Sequence, residues 1–228
     1  MSFENVFSES TQKLLLEGLK VTIGISLLAI LIGLVVGLIT CAFSRSKNPV
    51  LKGIAAVYVW CIRGTPMIVQ AFLVFFAFPQ LIQLVVPGFR IEPFTAGLIT
   101  LSLNAGAYMS EIFRGGIEAV NIGQIEAARS LGMSKGKTTL KVVLPQAFKI
   151  CIPSLVNQFI ITVKDSSILS VIGLSDIVNQ AKGYVGRTYD FFPAYITVAA
   201  YYLVIISILM VISKFIEKKL NYDKKSNS

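Results

Sequence analysis

Two groups of polar residues stand in or beside long, mostly apolar segments of this chain, where they could bind a small polar solute. Asn104, Tyr108 and Glu111 are spaced at i, i+4 and i+7, so a helix places all three on one face. A later segment gives a second helical stripe, which consists of Ser154, Gln158, Thr162 and Asp165. Polar groups inside a membrane need partners or water, so we expect both faces to point into the protein interior.

Enzyme chemistry is not indicated. The sequence has no histidine, which removes the commonest general base and metal ligand, and it shows no nucleophile beside a base. Cys41, Cys61 and Cys151 lie far apart without a C-x-x-C spacing, so neither a zinc site nor a disulfide framework is predicted. The stretch 132–138 imitates a phosphate-binding loop, but it has three residues between its glycines where the motif needs four.

The composition is that of a membrane protein. Of 228 residues, 54% are hydrophobic and 14% are charged, whereas a soluble domain is about 25% charged. Five segments are each predicted to cross a bilayer as a helix: 21–44, 64–89, 94–110, 150–174 and 191–213. Four of them are uncharged, and 150–174 is interrupted by Lys164-Asp165. The chain is therefore expected to be a single all-α transmembrane domain (1–228) with lipid around it.

The loop charges predict how this domain is oriented. An excess of Lys and Arg marks cytoplasmic loops, which places the N-terminus outside and the basic tail, including Lys224 and Lys225, in the cytoplasm. The net charge of +9 is accounted for by these loops and tails, so no nucleic acid partner is expected.

Three features of the first two spans carry expectations of their own. Gly33 and Gly37 form a G-x-x-x-G spacing, which either lets another helix approach closely or is a chance pair facing lipid. The segment 51–61 is too short to cross, and we expect it to lie along the interface before Arg63-Gly64-Thr65-Pro66 turns the chain inward. Gln70 lies deep in the second span, where a helix–helix hydrogen bond is the favoured role.

The longest polar interruption is the predicted cytoplasmic loop 114–149, which has six basic and two acidic residues. A short helix is predicted over 125–131, because Ala127 and Ala128 favour helix and are small enough for close docking. Asn121 is a suitable N-terminal cap, and Gly132 is suited to ending the helix.

Several motifs resemble one protein family. Glu126-Ala127-Ala128, then Gly132, then Leu144-Pro145 resembles the EAA loop of ABC importer permeases, with Val142 where the family usually has Ile. Further motifs resemble the polar amino acid branch: Arg63-Gly64-Thr65-Pro66, the stretch 107–116, and Lys164-Asp165-Ser166-Ser167. The resemblance covers about residues 11–220.

The resemblance implies a type I ABC importer fold with a cytoplasmic coupling helix between the third and fourth spans. The residues expected to contact a separate ATPase are Glu126, Ala127, Ala128, Arg129 and Gly132. Those expected to bind substrate are Asn104, Gln158 and Asp165. This chain is expected to hold no cofactor, with ATP and magnesium bound by the ATPase.

The resemblance also implies partners and a substrate. Family members sit in the bacterial cytoplasmic membrane as permease dimers, identical or similar, with two ATPase subunits and an extracellular or periplasmic substrate-binding protein. Relatives that carry arginine have an acid where Gln158 stands, which favours glutamine or cystine here. The alternative hypothesis is a channel or scaffold whose basic loop docks an unrelated cytosolic protein.

Overall fold

The computed structural model describes residues 3–226, with side chains for residues 3–219. The described part of the chain consists of helices joined by short loops. In chain order they are α1 Phe3–Val6, α2 Glu9–Ser44, α3 Pro49–Gly64, α4 Met67–Ile82, α5 Pro93–Glu118, α6 Ile122–Ser130, α7 Lys135–Ile172, α8 Ile177–Thr188 and α9 Phe191–Ser226.

The long helix α5 lies at the centre and packs against α2, α3, α4 and α7. Its contact with α2 is made through small residues. A β-carbon added to Gly33 would lie 3.0 Å from Ala105 Cβ, and one added to Gly37 would lie 2.8 Å from Met109 Cβ. The G-x-x-x-G spacing therefore serves close helix approach, and the alternative of a chance lipid-facing pair is wrong.

The chain turns sharply between α3 and α4, where the helix direction bends by 108°. Asn48 caps α3 through its side chain, and Thr65 and Pro66 adopt extended backbone between the two helices. At 16 residues, α3 is shorter than the roughly 20 residues needed to cross a bilayer. The turn at Arg63-Gly64-Thr65-Pro66 is confirmed.

Three of the described helical stretches are long and apolar enough to cross a membrane: Glu9–Ser44, Lys135–Ile172 and Phe191–Lys219. The bent pair α3 and α4 together forms a fourth candidate. Helix α5 has 26 residues but is not among the candidates. Because α5 is surrounded by other helices, it can carry more polar residues than a lipid-facing span. Five crossings and the in–out orientation stay predictions.

Several helices extend beyond the predicted segments. Helix α2 begins at Glu9 rather than at residue 21, α7 begins at Lys135 rather than at residue 150, and α9 continues to Ser226 rather than ending at residue 213. Helix α4 ends at Ile82, before the predicted end at residue 89. The segment between the fourth and fifth predicted spans, 175–190, contains the amphipathic helix α8, whose buried residues pack against α2. The side chains of Lys224 and Lys225 lie outside the described residues.

Helices α4 and α7 each contain one π-helical turn, at Leu73–Ala77 and Thr139–Val143. Each turn directly precedes a proline near the start of the following α-helical stretch, Pro79 or Pro145. A proline has no N–H to donate, so the backbone hydrogen-bond pattern shifts at that point. In α7 the irregular turn lies within the predicted loop 114–149, between the loop helix α6 and the α-helix Leu144–Asp165.

Candidate functional site

A cavity of about 550 Å³ lies where the α3–α4 turn, α5 and α7 meet. Arg63 comes from the end of α3, and Tyr108 and Glu111 come from one face of α5. The α7 wall includes Ser154, Asn157 and Gln158. Tyr108 and Glu111 share one face of α5, as the helical spacing predicts, and Tyr108 is 38% exposed on it. Ser154 and Gln158 lie together on the α7 wall, also as predicted.

A charged cluster stands at the cavity, with Arg63 and Glu111 in its wall and Arg114 and Glu118 beside it. Arg114 donates hydrogen bonds to both carboxylate oxygens of Glu111, at 2.8 and 3.3 Å, and it pairs with Glu118 at 2.9 Å. Arg63 lies 3.5 Å from the same Glu111 carboxylate, and its guanidinium stands 5.3 Å from the centre of the Tyr108 ring. Two arginines and two glutamates give this cluster no net charge.

Gln158 is a buried polar residue of this cavity, with 5% of its surface exposed. Its backbone carbonyl accepts a hydrogen bond from the Thr162 hydroxyl at 2.9 Å, one turn further along α7. Gln158 lies within the α-helix Leu144–Asp165. Its side-chain amide offers two hydrogen-bond donors and an acceptor.

Asn104 is placed differently from Gln158. Its amide donates a 3.2 Å hydrogen bond to Gln70 Oε1, and the Gln70 amide donates to the backbone carbonyls of Ile62 and Thr65 at 2.7 and 3.0 Å. This network ties α5 to the α3–α4 turn. The predicted helix–helix hydrogen bond of Gln70 is confirmed.

Asp165 ends the α-helical part of α7, where a 3₁₀ turn, Ser166–Ile172, begins. It is partly buried and stands seven residues beyond Gln158, which corresponds to about 10 Å along a helix. The cavity wall thus includes Gln158, while Asn104 and Asp165 lie outside the set of residues that line it. Their predicted roles in substrate binding stay predictions.

The predicted loop helix is α6, Ile122–Ser130, which starts three residues earlier than expected. Asn121 caps it by accepting a 2.8 Å hydrogen bond from the Gly123 N–H, as predicted. At its end, Gly132 adopts a left-handed conformation with φ of +81°, and Met133 N–H donates to Ala128 O at 3.2 Å. This is a Schellman ending, which favours glycine at the left-handed position.

The residues predicted to contact an ATPase do not all face the same way. Glu126, Ala127, Arg129 and Gly132 are exposed, whereas Ala128 is buried within this chain. The neighbouring Leu131 is 84% exposed and Ile122 is 67% exposed. The outer side of α6 therefore presents apolar side chains that a soluble partner could cover.

Helix α6 is joined directly to the base of α7. Gln146, from the Leu144-Pro145-Gln146-Ala147 motif, donates a 2.6 Å hydrogen bond to Gln124 of α6. An apolar cluster beneath α6 contains Val120, Val143 and Ala147. A displacement of α6 would therefore act on the helix that carries Gln158.

Two of these features were not predicted from the sequence. Arg63 was noted only within a motif, and its place in the cavity depends on Tyr108 and Glu111, which are distant in sequence. The pairing of Gln124 with Gln146 had no local signal either. Both are long-range contacts, which spacing along the chain does not reveal.

Comparisons with known proteins agree with this architecture. A family model described as "Binding-protein-dependent transport system inner membrane component" matches residues 24–222. The chain is 40% identical over 206 residues to the arginine transport system permease protein ArtQ of Bacillus subtilis (strain 168), covering 90% of this chain and 92% of that protein. It is 36% identical over 208 residues to the glutamine transport system permease protein GlnP of Escherichia coli (strain K12), covering 91% and 93%.

The fold is similar to solved transporters. A crystal structure of an amino acid ABC transporter with histidines superposes with a TM-score of 0.90 at 37% identity, covering 96% of this chain and 99% of that one. An inward-facing MetNI methionine ABC transporter has a TM-score of 0.74 at 19% identity, covering 94% and 99%, which shows the fold alone. The chain therefore belongs to the family of inner membrane components of binding-protein-dependent transport systems, and within it to the permeases of polar amino acid ABC importers.

Proposed function

We propose that this permease carries a neutral polar L-amino acid, with glutamine favoured and cystine as the alternative, by alternating access driven by a separate ATPase. One observation supports the proposal above all. The exposed helix α6 is hydrogen-bonded through Gln124 and Gln146 to α7, which carries Gln158 into the cavity. A push on α6 therefore has a direct route to the residues around the solute.

The preference for a neutral side chain follows from the charges at the cavity. The relatives include permeases named for arginine and for glutamine, so sequence identity over the whole chain does not decide the substrate. Glu111 is a carboxylate of the cavity wall, and it is already bound by Arg114 and approached by Arg63. Gln158 is an amide, which cannot neutralise a cation but can hydrogen-bond a neutral polar group. Asn104 and Asp165 are proposed as further substrate contacts.

The proposed assembly has two permeases, identical or similar, two ATPase subunits and a substrate-binding protein on the outer side of a bacterial cytoplasmic membrane. The ATPase subunits bind ATP and magnesium. Five spans, an outer N-terminus and a cytoplasmic C-terminus complete the proposal. Each ATPase receives α6 in a cleft, in contact with Glu126, Ala127, Arg129 and Gly132. Ala128 supports α6 from within the permease.

The experiment is to purify the complete complex through a tag on this chain and to reconstitute it into vesicles that enclose ATP. Mass spectrometry is expected to identify an ABC ATPase subunit, and glutamine uptake is expected to require ATP hydrolysis. Solute movement that is independent of ATP, with no ATPase in the purified complex, would contradict the proposal. That result would favour the alternative of a channel or scaffold.

A further inference from the structure

Arg63 is a charged residue of the cavity wall whose contact with its ion-pair partner is long. Arg114 holds Glu111 with two hydrogen bonds, while Arg63 approaches the same carboxylate only to 3.5 Å. The Arg63 side chain is 42% exposed and lies against the face of Tyr108. A guanidinium has five N–H donors, so Arg63 has donors available for a further anionic group.

The cavity lies to one side of Gln158 along the helices. On α7 the cavity wall extends from Gln158 to Pro153, which is towards α6 and covers about 7.5 Å of helix. On α5 it extends from Tyr108 to Ile112 in the same direction. The cavity thus lies on the α6 side of Gln158, and its volume of about 550 Å³ is within the usual range for a small-molecule site.

We propose that this cavity is an exit site, in which Arg63 binds the α-carboxylate of the amino acid after it has passed Gln158. The inference rests on the proposed function and adds a binding residue to it. A guanidinium fork matches a carboxylate in geometry as well as in charge. The Tyr108 ring holds the guanidinium against one wall, and the hydroxyl and amides of Ser154, Asn157 and Gln158 face it from the other.

The exit site is expected to discriminate little between amino acids with different side chains. Every α-amino acid has the carboxylate that Arg63 would bind, whereas Gln158 meets the side chain. Selection and release are therefore assigned to different residues, and substitution of Arg63 is expected to affect binding from the α6 side more than the choice between amino acids.

The test uses the complete transporter in vesicles that enclose ATP, with uptake of external L-glutamine measured at increasing internal L-glutamine. Internal glutamine is expected to slow uptake by occupying the exit site. Arg63→Gln is expected to raise the half-inhibitory internal concentration about tenfold or more, because a hydrogen bond to a charged group is lost. The half-saturating external concentration is expected to stay within about twofold of the unmodified protein.

Three controls separate ligand binding from a purely structural role of Arg63. L-glutaminamide has no carboxylate, so in the unmodified protein it is expected to inhibit from inside much more weakly than glutamine. Glu118→Gln alters the same ion-pair cluster but lies outside the cavity lining, and it is expected to leave internal inhibition unchanged. Arg63→Lys keeps the charge and is expected to retain part of the inhibition.

The proposal is overturned if glutaminamide inhibits from inside as strongly as glutamine, or if Arg63→Gln transports with unchanged internal inhibition. The first comparison needs no variant, so it holds even if Arg63→Gln does not assemble. Uptake without any internal inhibition would also overturn the exit site. Absence of glutamine uptake by the unmodified transporter would instead contradict the proposed substrate, which is a separate result.

Discussion

The two sides of α5 are built in opposite ways. Towards α2, the contact is close and made through small residues, and β-carbons added to Gly37 or Gly106 would come within 2.8 or 2.7 Å of neighbouring side chains. Towards α7, the helices touch at their α6 end, where Gly116 meets Ala147 and Cys151, and then separate around the cavity. One side has no room for a β-carbon at Gly37 or Gly106, and the other has a cavity of about 550 Å³.

This difference indicates which parts can move relative to each other. Close-packed interfaces resist small displacements, because the atoms have no free volume to enter. We therefore expect α2 and α5 to act as one unit and α7 to shift against it on the cavity side. The attachment of α6 to the base of α7 is consistent with that division.

The largest expected effect comes from adding volume to the packed side. Gly37→Val places a branched side chain against Met109 of α5 and is expected to cost about 3 kcal/mol of stability. The measurement is thermal unfolding of the purified complex. Gly24→Val is the matched control on the same helix, because a β-carbon at Gly24 has no neighbour within 4 Å. Equal effects of the two substitutions would contradict the account of the α2–α5 contact.

On the cavity side, a change of charge is expected to alter specificity while the fold is kept. Gln158→Glu should make arginine and lysine compete about tenfold better with glutamine uptake, because a carboxylate can pair with a cationic side chain. The control is Asn157→Asp, a neighbouring exposed residue of the same cavity, for which a smaller shift is expected. Unchanged competition by both cations would contradict the role given to Gln158.

A smaller effect is expected where α6 is joined to the moving side. Gly132→Val forces a branched residue into a left-handed conformation, at a cost of about 1–2 kcal/mol. We expect the end of α6 to distort, so that ATP hydrolysis continues while uptake per ATP falls. Gly136→Val is the control, since Gly136 is exposed and its surroundings leave space for a side chain. Coupled transport by Gly132→Val would be the contrary result.

The smallest effect concerns Asp176, which caps α8 next to α2, outside the membrane-spanning segments. Burial raises its pKa from 3.8 to about 6, against the opposing effect of hydrogen bonds from the Asn179 and Val178 N–H groups. The folded state therefore favours the protonated form. The stability that this group contributes is fully present below its unfolded pKa and is lost as the pH rises through about 6.

Asp176→Asn keeps a capping side chain and removes the titration. We compare the melting temperatures of Asp176→Asn and the unmodified protein by thermal unfolding over a pH series. The melting temperature of Asp176→Asn minus that of the unmodified protein is expected to be higher above pH 6 than at pH 4, because only the unmodified protein loses stability as this carboxyl ionises. A difference that is independent of pH would contradict the buried state of this carboxyl.

Local features were predicted from the sequence more fully than distant contacts. The cap at Asn121, the helix end at Gly132 and the turn at Pro66 depend on residues within a few positions, so residue type is sufficient to predict them. Helix α8 was missed because its apolar spacing at Ile177, Ala181 and Val185 is carried by only 12 residues in a polar segment.

In the candidate site, too, local features were predicted and distant contacts were not. The shared face of Tyr108 and Glu111 followed from helical periodicity, but periodicity does not tell which partner a face meets. Asn104 meets Gln70, and Glu111 meets Arg114 and Arg63. These pairings depend on how α3, α5 and α7 pack, which the spacing of residues does not reveal.

The central claim is that a separate ATPase acts on α6, and crosslinking from its exposed side tests this most directly. Ala127→Cys is made in a Cys61→Ser background, because Cys61 is the exposed native thiol among the described cysteines. A crosslinker with one thiol-reactive and one photoreactive group is expected to join Ala127→Cys to an ABC ATPase subunit during transport, and the buried position in Ala128→Cys is expected to react much less. Continued ATP-dependent transport in which Ala127→Cys never captures an ATPase subunit would contradict the account.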